Sequence, residues 1–249
     1  MGSFHDQRDR AESFGAVADA YDRFRPGYPD ELIDELAAPR PMAVLDVGCG
    51  TGKLARQLDG RGLSVLGVEV DPRMATIAHS HGVEVEIAPF EQWDDRGRTF
   101  DLIVSGQAWH WVDPAIGAPK LVRLLRQGGT ACLFWNSWEV TGAAREAYDD
   151  VYRRLAPQLL ARETGGHDDT HGTRLRDTGC FGSVTEERLN RARMMPVTEL
   201  VGRTGTHSDH LLLGSKRLAE VQAAIRSALQ GLGDEVPVEG GTYVVWARA

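Results

Sequence analysis

Between Met42 and Trp135 the sequence repeats one alternation, in which a short apolar run bounded by Gly or Asp is followed by a longer, polar-faced segment. This alternation predicts βαβα units, in which helices cover a parallel sheet. The runs are rich in Val, Ile and Leu without strict alternation, which indicates strands buried on both faces. The predicted strands are residues 42–47, 63–69, 83–87, 100–105 and 130–135. Right-handed crossovers bring their carboxyl ends to one edge of the sheet, where such folds bind ligands.

Helical patterns flank this region on both sides. The predicted helices are residues 11–24, 30–39, 141–163, 197–205 and 215–230, the predicted last strands are 183–190 and 242–249, and residues 163–173 (ETGGHDDTHGT) are predicted to be an exposed loop. We expect a single domain over residues 1–249, with a helical lid (1–40), a ligand-binding core (41–138), and cap helices with the last strands (139–249).

Charge and cysteine content exclude several classes of protein. The chain has 249 residues, with 28 basic against 36 acidic side chains and a net charge of -8, so a general attraction to nucleic acid or anionic lipid is not expected. No segment approaches the ~20 apolar residues of a membrane span, and the N-terminus lacks an apolar secretory segment. Cys49, Cys132 and Cys180 lie far apart, which predicts neither a disulfide framework nor a zinc site. These features predict a cytoplasmic protein.

The segment VLDVGCGTG, residues 44–52, lies where the first strand meets the next helix. Gly48, Gly50 and Gly52 permit a tight turn and a close approach of the backbone to a ligand. The spacing is GxGxG in place of the dinucleotide pattern GxGxxG, and Asp46 precedes the first glycine by two residues. An acid in this position disfavours a phosphate and suits a ligand that carries an amine.

Glu69 ends the second predicted strand, 17 residues after Gly52. A carboxylate at this place beside a glycine loop is suited to accept both hydroxyls of a ribose, although a solvated strand end has the same appearance. Asp71 is the weaker candidate, because Asp71-Pro72 also has the pattern of a helix N-cap and first turn.

Together these residues resemble the class I S-adenosylmethionine-dependent methyltransferases. The resemblance covers most of the chain and rests on VLDVGCGTG, GVEVDPRM (67–74), FDLIVSGQAWHWVD (100–113) and LLRQGG (124–129). Residues 16–29 and the segment AWHWVD also resemble the small-molecule branch that includes trans-aconitate methyltransferase-like proteins. The resemblance implies an α/β, Rossmann-like fold with a seven-stranded, mostly parallel sheet, an antiparallel last strand and helices on both faces.

The resemblance also implies roles for individual residues, with S-adenosylmethionine as cofactor and S-adenosylhomocysteine as product. Asp46 would lie near the cofactor's amino group and Glu69 at its ribose, while Pro89 and Phe90 stand where the family usually has a short polar residue near the adenine. Tyr21, Arg25 and Tyr28 would belong to a lid. The predicted cofactor-binding residues are Tyr21, Arg25, Asp46, Gly48, Cys49, Gly50, Thr51, Gly52, Glu69, Val70, Pro89, Phe90, Ser105 and Gln107.

Residues after the fourth strand emerge at the ligand edge and face the reacting groups. His110 is the candidate base or acceptor-orienting residue, with a packed histidine as the equally weighted alternative. The predicted acceptor-binding residues are Trp109, Trp111, Tyr28 and His207, although core packing is the favoured interpretation for at least one tryptophan. His167 and His171 have i, i+4 spacing, but their segment is loop-like, so no metal site is predicted.

The function predicted from these features is methyl transfer to a carboxyl or hydroxyl oxygen of a small molecule, by a monomer or homodimer. Two alternatives remain open at this point. A catalytically silent protein of the same fold is one, and an NAD-dependent oxidoreductase is the other, disfavoured by the GxGxG spacing, Asp46 and the LLRQGG turn.

Overall fold

The computed structural model describes residues 12–163 and 170–249. Over these ranges seven strands form one sheet, in the order β3-β2-β1-β4-β5-β7-β6. The strands are β1 (Val44–Val47), β2 (Val65–Glu69), β3 (Glu84–Ile87), β4 (Phe100–Gly106), β5 (Leu125–Val140), β6 (Ser183–Pro196) and β7 (Glu235–Arg248). Strands β1 to β5 pair in parallel, and β7 runs antiparallel to both β5 and β6. The predicted fold class is confirmed.

Helices cover both faces of this sheet. They are α1 (Ala18–Phe24), α2 (Asp30–Ala37), α3 (Lys53–Asp59), α4 (Pro72–Ser80), α5 (Pro114–Leu124), α6 (Gly142–Leu155), α7 (Pro157–Glu163), α8 (His171–Asp177), α9 (Val197–Thr204), α10 (Ser208–Leu211) and α11 (Ser215–Gln230). Short 3₁₀ turns span Glu12–Val17, Phe90–Gln92 and Trp109–Trp111. In the part of the chain that the structure covers, no helix has the length and apolar character needed to cross a bilayer.

The period of two along each strand divides the buried side chains between the two faces. On β5, Phe134 packs with α2 and α3, whereas Leu133 and Trp135 pack on the opposite face with α5. Because neighbouring parallel strands share one direction, the carboxyl ends of β1, β2 and β4 form a common edge above both cores.

The last three strands are longer than the sequence predicts. Strand β5 continues to Val140 and β6 to Pro196, and β7 already begins at Glu235. A search for apolar runs misses these extensions because β6 is mostly exposed and carries Arg and Glu side chains. The extensions of β5 and β7 support a second core with α6, α9 and α11, which builds the cap.

The predicted loop at 163–173 is partly wrong. Residues 171–173 belong to α8, where Leu175 is buried against the main core. His167 lies outside the described residues, and the ring of His171 stacks on Trp135 with centroids 3.9 Å apart. The helix at 11–24 is also revised, because its first turns are 3₁₀ and only Ala18–Phe24 is α-helical.

Candidate active site

The glycine loop that follows β1 forms the floor of a cleft at the carboxyl edge of the sheet. Gly48, Gly50 and Gly52 have φ values of 71°, 56° and 78°, in the left-handed region that favours glycine. The N–H groups of Gly48 and Cys49 donate to the carbonyl oxygen of Val68, at 2.8 and 3.2 Å. A Cβ atom at Gly48 would overlap the Cβ of Ala108, so glycine is required for the loop to pass the end of β4.

The side chain of Glu69 holds the glycine loop in place through a hydrogen bond to its backbone. Its Oε2 accepts a hydrogen bond from the Gly50 N–H at 2.8 Å, and its Oε1 accepts from the N–H groups of Val70 and Asp71 at 2.9 Å each. Burial raises the pKa of this carboxyl group, and the three backbone donors oppose that shift. A carboxylate offers about four acceptor positions, so one is left for a hydroxyl group. Asp71 is an N-cap, because its Oδ1 accepts from the Arg73 N–H at 2.8 Å.

Asp46 is the unsatisfied group of the cleft. It is 1% exposed, and its Oδ2 has no hydrogen-bond partner among the described residues. Burial, with a smaller contribution from the charge of Glu69, raises its pKa to about 8. A buried acceptor without a donor costs free energy, so this oxygen is suited to bind a cationic or N–H donor from a ligand.

The N-terminal segment, which the sequence predicts to be a lid, contributes residues to the lining of the cleft and contacts its neighbours. Gly15 N–H donates to Asp71 Oδ2 at 3.0 Å, and the backbone of Tyr28 exchanges two 2.9 Å hydrogen bonds with the side chain of Gln57. Arg25 reaches across to the cap, where Nε donates to Thr206 Oγ1 and Nη2 to the Thr206 carbonyl oxygen, both at 2.8 Å. The lid is therefore tied to the sheet edge on one side and to the cap on the other.

The cleft collects residues from the lid, the glycine loop, the end of β4 and the cap. Its lining consists of Tyr21, Arg25, Pro26, Tyr28, Asp46, Gly48, Cys49, Gly50, Thr51, Lys53, Leu54, Gly106, Gln107, Asn136 and Arg203. Only about 30 Å³ admits the centre of a water molecule, which is room for about two waters. A nucleoside-sized ligand can enter only if side chains of the lid move outward.

Several predicted cofactor residues do not line this cleft. Ser105 is fully buried and donates to the Val47 carbonyl oxygen at 2.8 Å. Phe90 is buried in the main core against Trp93 and Trp109. Gly52 turns into α3, Glu69 and Val70 lie at the end of β2, and Pro89 follows β3, all outside the lining. Glu69 reaches the site through its hydrogen bond to Gly50, which does line the cleft. Gln107 does line the cleft, where its φ of 61° lets Nε2 donate to the Asn136 carbonyl oxygen at 2.9 Å.

The tryptophans and His110 take separate positions around the 3₁₀ turn after β4. Trp109 is 5% exposed and belongs to the main core, whereas Trp111 meets the lid residue Phe14 edge-on, with centroids 6.1 Å apart. Nδ1 of His110 accepts a hydrogen bond from Trp135 Nε1 at 3.1 Å. A neutral His110 ring in this arrangement carries its proton on Nε2.

His207 belongs to a polar cluster in the cap with Asp209 and His210. Burial and the charge of Arg25 lower the pKa of His207. Both ring nitrogens of His210 are engaged, Nδ1 with the Asp209 carboxylate at 2.8 Å and Nε2 with the Tyr152 hydroxyl at 2.6 Å. Because His210 has no nitrogen left for an ion, the cluster is a hydrogen-bonded core and not an open set of metal ligands.

Sequence reasoning missed Arg203 and Asn136, which reach the cleft from α9 and β5. It also missed an open groove that continues from Arg25 and Tyr28 along the cap and is lined by Arg23, Arg191 and Arg193. These arginines lie in two segments about 170 positions apart, so no local pattern brings them together.

Comparison with known proteins places the site in context. Residues 45–133 match the methyltransferase domain family. The chain is 40% identical over 133 residues to an uncharacterized methyltransferase of Mycobacterium tuberculosis H37Rv, which covers 53% of this chain and only 55% of that protein's length. It is 31% identical over 172 residues to the malonyl-[acyl-carrier protein] O-methyltransferase of Pseudescherichia vulneris, which covers 65% of this chain and 67% of that protein.

A solved structure of similar fold agrees with these matches. The structure of a type II methyltransferase from Anaeromyxobacter dehalogenans aligns with a TM-score of 0.64 and 25% identity, over 90% of this chain and 98% of that one. The similarity therefore extends beyond the matched residues 45–133.

Proposed function

Because this chain belongs to the class I S-adenosylmethionine-dependent methyltransferases, we propose that it transfers the methyl group of S-adenosylmethionine to an oxygen of a small molecule. The proposal rests on one observation above all, the buried and unpartnered Oδ2 of Asp46 at the glycine loop. S-adenosylmethionine is the cofactor of the family, and its amino group supplies the cationic donor that this oxygen lacks.

The other residues of the cleft fit the same cofactor. Gly48 and Gly50 let backbone approach the ligand without a Cβ in the way, and the remaining acceptor position of Glu69 suits a ribose hydroxyl. When bound, the cofactor supplies an electrophilic methyl group on sulfur. The protein's own contribution is alignment of the acceptor and exclusion of water, for which Tyr21 and Tyr28 of the lid are in position.

We further propose that the acceptor oxygen belongs to a carboxyl group. A carboxylate is ionised near neutral pH and needs no base, whereas a hydroxyl group must lose its proton as it reacts. The Nδ1 atom of His110 is occupied by the hydrogen bond from Trp135 Nε1, so this nitrogen is not available to take a proton from an acceptor. The free thiols of Cys49, Cys132 and Cys180 support a reducing, cytoplasmic location.

Calorimetric titration of the purified protein with S-adenosylhomocysteine and, separately, with NAD tests the proposal. We expect binding of S-adenosylhomocysteine alone, weakened roughly 10- to 100-fold in Asp46→Asn, because a hydrogen bond to a charged group is lost. Asp59→Asn, at an exposed position on α3, is the matched control and should bind normally. NAD binding alone, or no binding, would contradict the assignment, and binding without turnover on any acceptor would indicate a silent member of the family.

His110→Ala separates the two roles of that residue. If His110 orients the acceptor, turnover falls while the affinity for S-adenosylhomocysteine stays unchanged, and the pH profile of turnover keeps its shape. If the decline of turnover at low pH is lost in the variant, His110 acts as a base instead, and unchanged turnover would remove His110 from the site.

A further inference from the structure

Arg203 is a buried cation without an anionic partner. It lies on α9, is 7% exposed and lines the cleft. Its Nη1 contacts the sulfur of Met195 at 3.5 Å, and its Nε has no hydrogen-bond partner within residues 12–163 and 170–249. No carboxylate of the described chain forms an ion pair with it, since Glu199 pairs with Arg193 instead. A buried guanidinium in this state is costly, and the cost is offset when a ligand supplies the missing acceptor.

Arg25 adds a second guanidinium to the same cleft. It donates only to the neutral oxygens of Thr206, so its charge is also uncompensated within the described residues. Burial and, to a smaller extent, the charge of Arg25 together lower the pKa of Arg203 to about 10, and the contribution of Arg25 reflects two cations close together. One of them matches the carboxylate of the cofactor's methionine part, and the other is then left for a second anion.

The groove outside the cleft favours the same kind of ligand. Its buried donor Trp138 Nε1 has no hydrogen-bond partner in the described part of the chain. Arg191 is neutralised by Glu31 and Arg193 by Glu199, so the groove is not a continuous cationic track for a polyanion. The two unsatisfied side-chain nitrogens, Arg203 Nε in the cleft and Trp138 Nε1 in the groove, are both donors. They suit a small ligand rich in oxygen acceptors.

We propose that Arg203 binds a carboxylate group of the acceptor and thereby selects carboxylate-bearing small molecules as substrates. The proposal rests on the methyltransferase function argued above and names the substrate class of that site. A guanidinium matches a planar carboxylate with two parallel hydrogen bonds, which fixes the orientation of the acceptor as well as its charge.

The test uses the full chain and three readouts. The first is the affinity for S-adenosylhomocysteine. The second is the shift in melting temperature of the S-adenosylhomocysteine complex caused by succinate or citrate, each compared with its neutral amide. The third is the melting temperature without ligand. Arg203→Met removes the charge at similar volume, and Arg203→Lys keeps the charge but lacks the planar guanidinium group. Arg226→Met, at an exposed position on α11, is the matched control.

We expect a carboxylate, and not its amide, to stabilise the wild-type complex. In Arg203→Met this binding weakens by about tenfold or more, while S-adenosylhomocysteine binds within about twofold of wild type. Arg203→Lys recovers part of the loss. The melting temperature of unliganded Arg203→Met is equal to or above that of wild type, because an uncompensated buried charge is gone; a purely structural arginine would give a decrease.

Three results overturn the proposal. One is the absence of stabilisation of the wild-type complex by any carboxylate at millimolar concentration, and another is unaltered carboxylate binding in Arg203→Met. The third is a tenfold loss of S-adenosylhomocysteine affinity in Arg203→Met with normal affinity for 5′-methylthioadenosine, which would assign Arg203 to the cofactor's carboxylate. If wild type fails to bind S-adenosylhomocysteine at all, the methyltransferase proposal itself has failed, and the first readout reports this separately.

Discussion

The two walls of the cleft are built in opposite ways. On the sheet side, Asp46, the glycine loop and Glu69 lie within 24 consecutive residues, and their contacts are backbone turns and carboxylate-to-N–H bonds. On the cap side, Arg25 and Thr206 meet across 181 positions of sequence. The unsatisfied atom of the sheet side is an acceptor, Asp46 Oδ2, whereas the cap side presents a donor, Arg203 Nε.

This difference indicates that the two walls serve different parts of the reaction. The sheet wall is a local turn whose geometry follows from glycines and strand ends, and it suits a ligand shared by many proteins with this loop. The cap wall depends on tertiary packing of α9 against the lid, so it can change while the sheet stays the same. Cofactor binding is therefore expected to depend on the first wall, and acceptor choice on the second.

We expect the largest effect from a substitution in the sheet wall, Asp46→Asn, and the quantity that changes is the free energy of unfolding. The folded-state pKa of Asp46 is raised to about 8, so the native protein holds a proton that the unfolded chain releases at lower pH. Asp46 therefore costs stability as pH rises from about 4 to about 8. We expect Asp46→Asn to match wild type near pH 4 and to exceed it increasingly up to pH 8, by about 5 kcal/mol at most.

Urea unfolding of both proteins across that pH range measures this difference, with Asp59→Asn as the control for a surface acid. A difference that is constant with pH would mean that Asp46 keeps an ordinary pKa. The sheet wall would then lack the uncompensated acid on which the comparison of the two walls depends.

The contrast between the two walls also explains which parts of the site can be predicted from the sequence. Asp46, the glycines and Glu69 are adjacent in the chain, and the strand pattern fixes their common edge, so the floor of the cleft follows from local rules. Arg203 and Asn136 carry no local signal, because their place in the cleft depends on where α9 and the extension of β5 pack. Phe90 is a different case, since its position after the third strand is compatible with either an adenine contact or core packing, and the structure buries it in the core.

An effect of intermediate size is expected where the lid meets the cap. Thr206→Val keeps the volume of the buried Thr206 but removes a hydroxyl that accepts from Arg25 Nε and donates to the Arg203 carbonyl oxygen, which should cost about 1–3 kcal/mol of unfolding free energy. Arg25→Met combined with Thr206→Val should show a coupling of about 1–2 kcal/mol in a double-mutant cycle.

Arg23→Met is the control for this cycle, because Arg23 is an exposed arginine of α1 only two residues before Arg25, and its guanidinium lies over the ring of Phe24. It should show no coupling to Thr206→Val. Equal coupling for both arginines would mean that the cycle reports general charge effects, and the lid would then not be tied to the cap through Arg25.

The smallest expected effect is at the junction of the two walls, where Tyr28 of the lid lies over Gly106 at the end of β4. A Cβ at Gly106 would overlap the Tyr28 hydroxyl and come within 2.6 Å of its Cζ, while the backbone of Tyr28 stays anchored by Gln57. Gly106→Ala should therefore turn the Tyr28 ring outward. This movement removes the edge-to-face contact of Tyr28 with Phe134, at a cost of about 1 kcal/mol.

Since the Tyr28 ring lines the cleft, association of S-adenosylhomocysteine with Gly106→Ala should become faster in stopped-flow measurements. In the background of Tyr28→Ala the same glycine substitution should have no effect on association and a smaller effect on stability, because Tyr28 is absent and only the ring edge of Phe134, 3.0 Å from the added Cβ, has to shift. If Gly106→Ala instead slows association in both backgrounds, the added methyl group obstructs the ligand itself, and Tyr28 is not the part of the lid that controls entry.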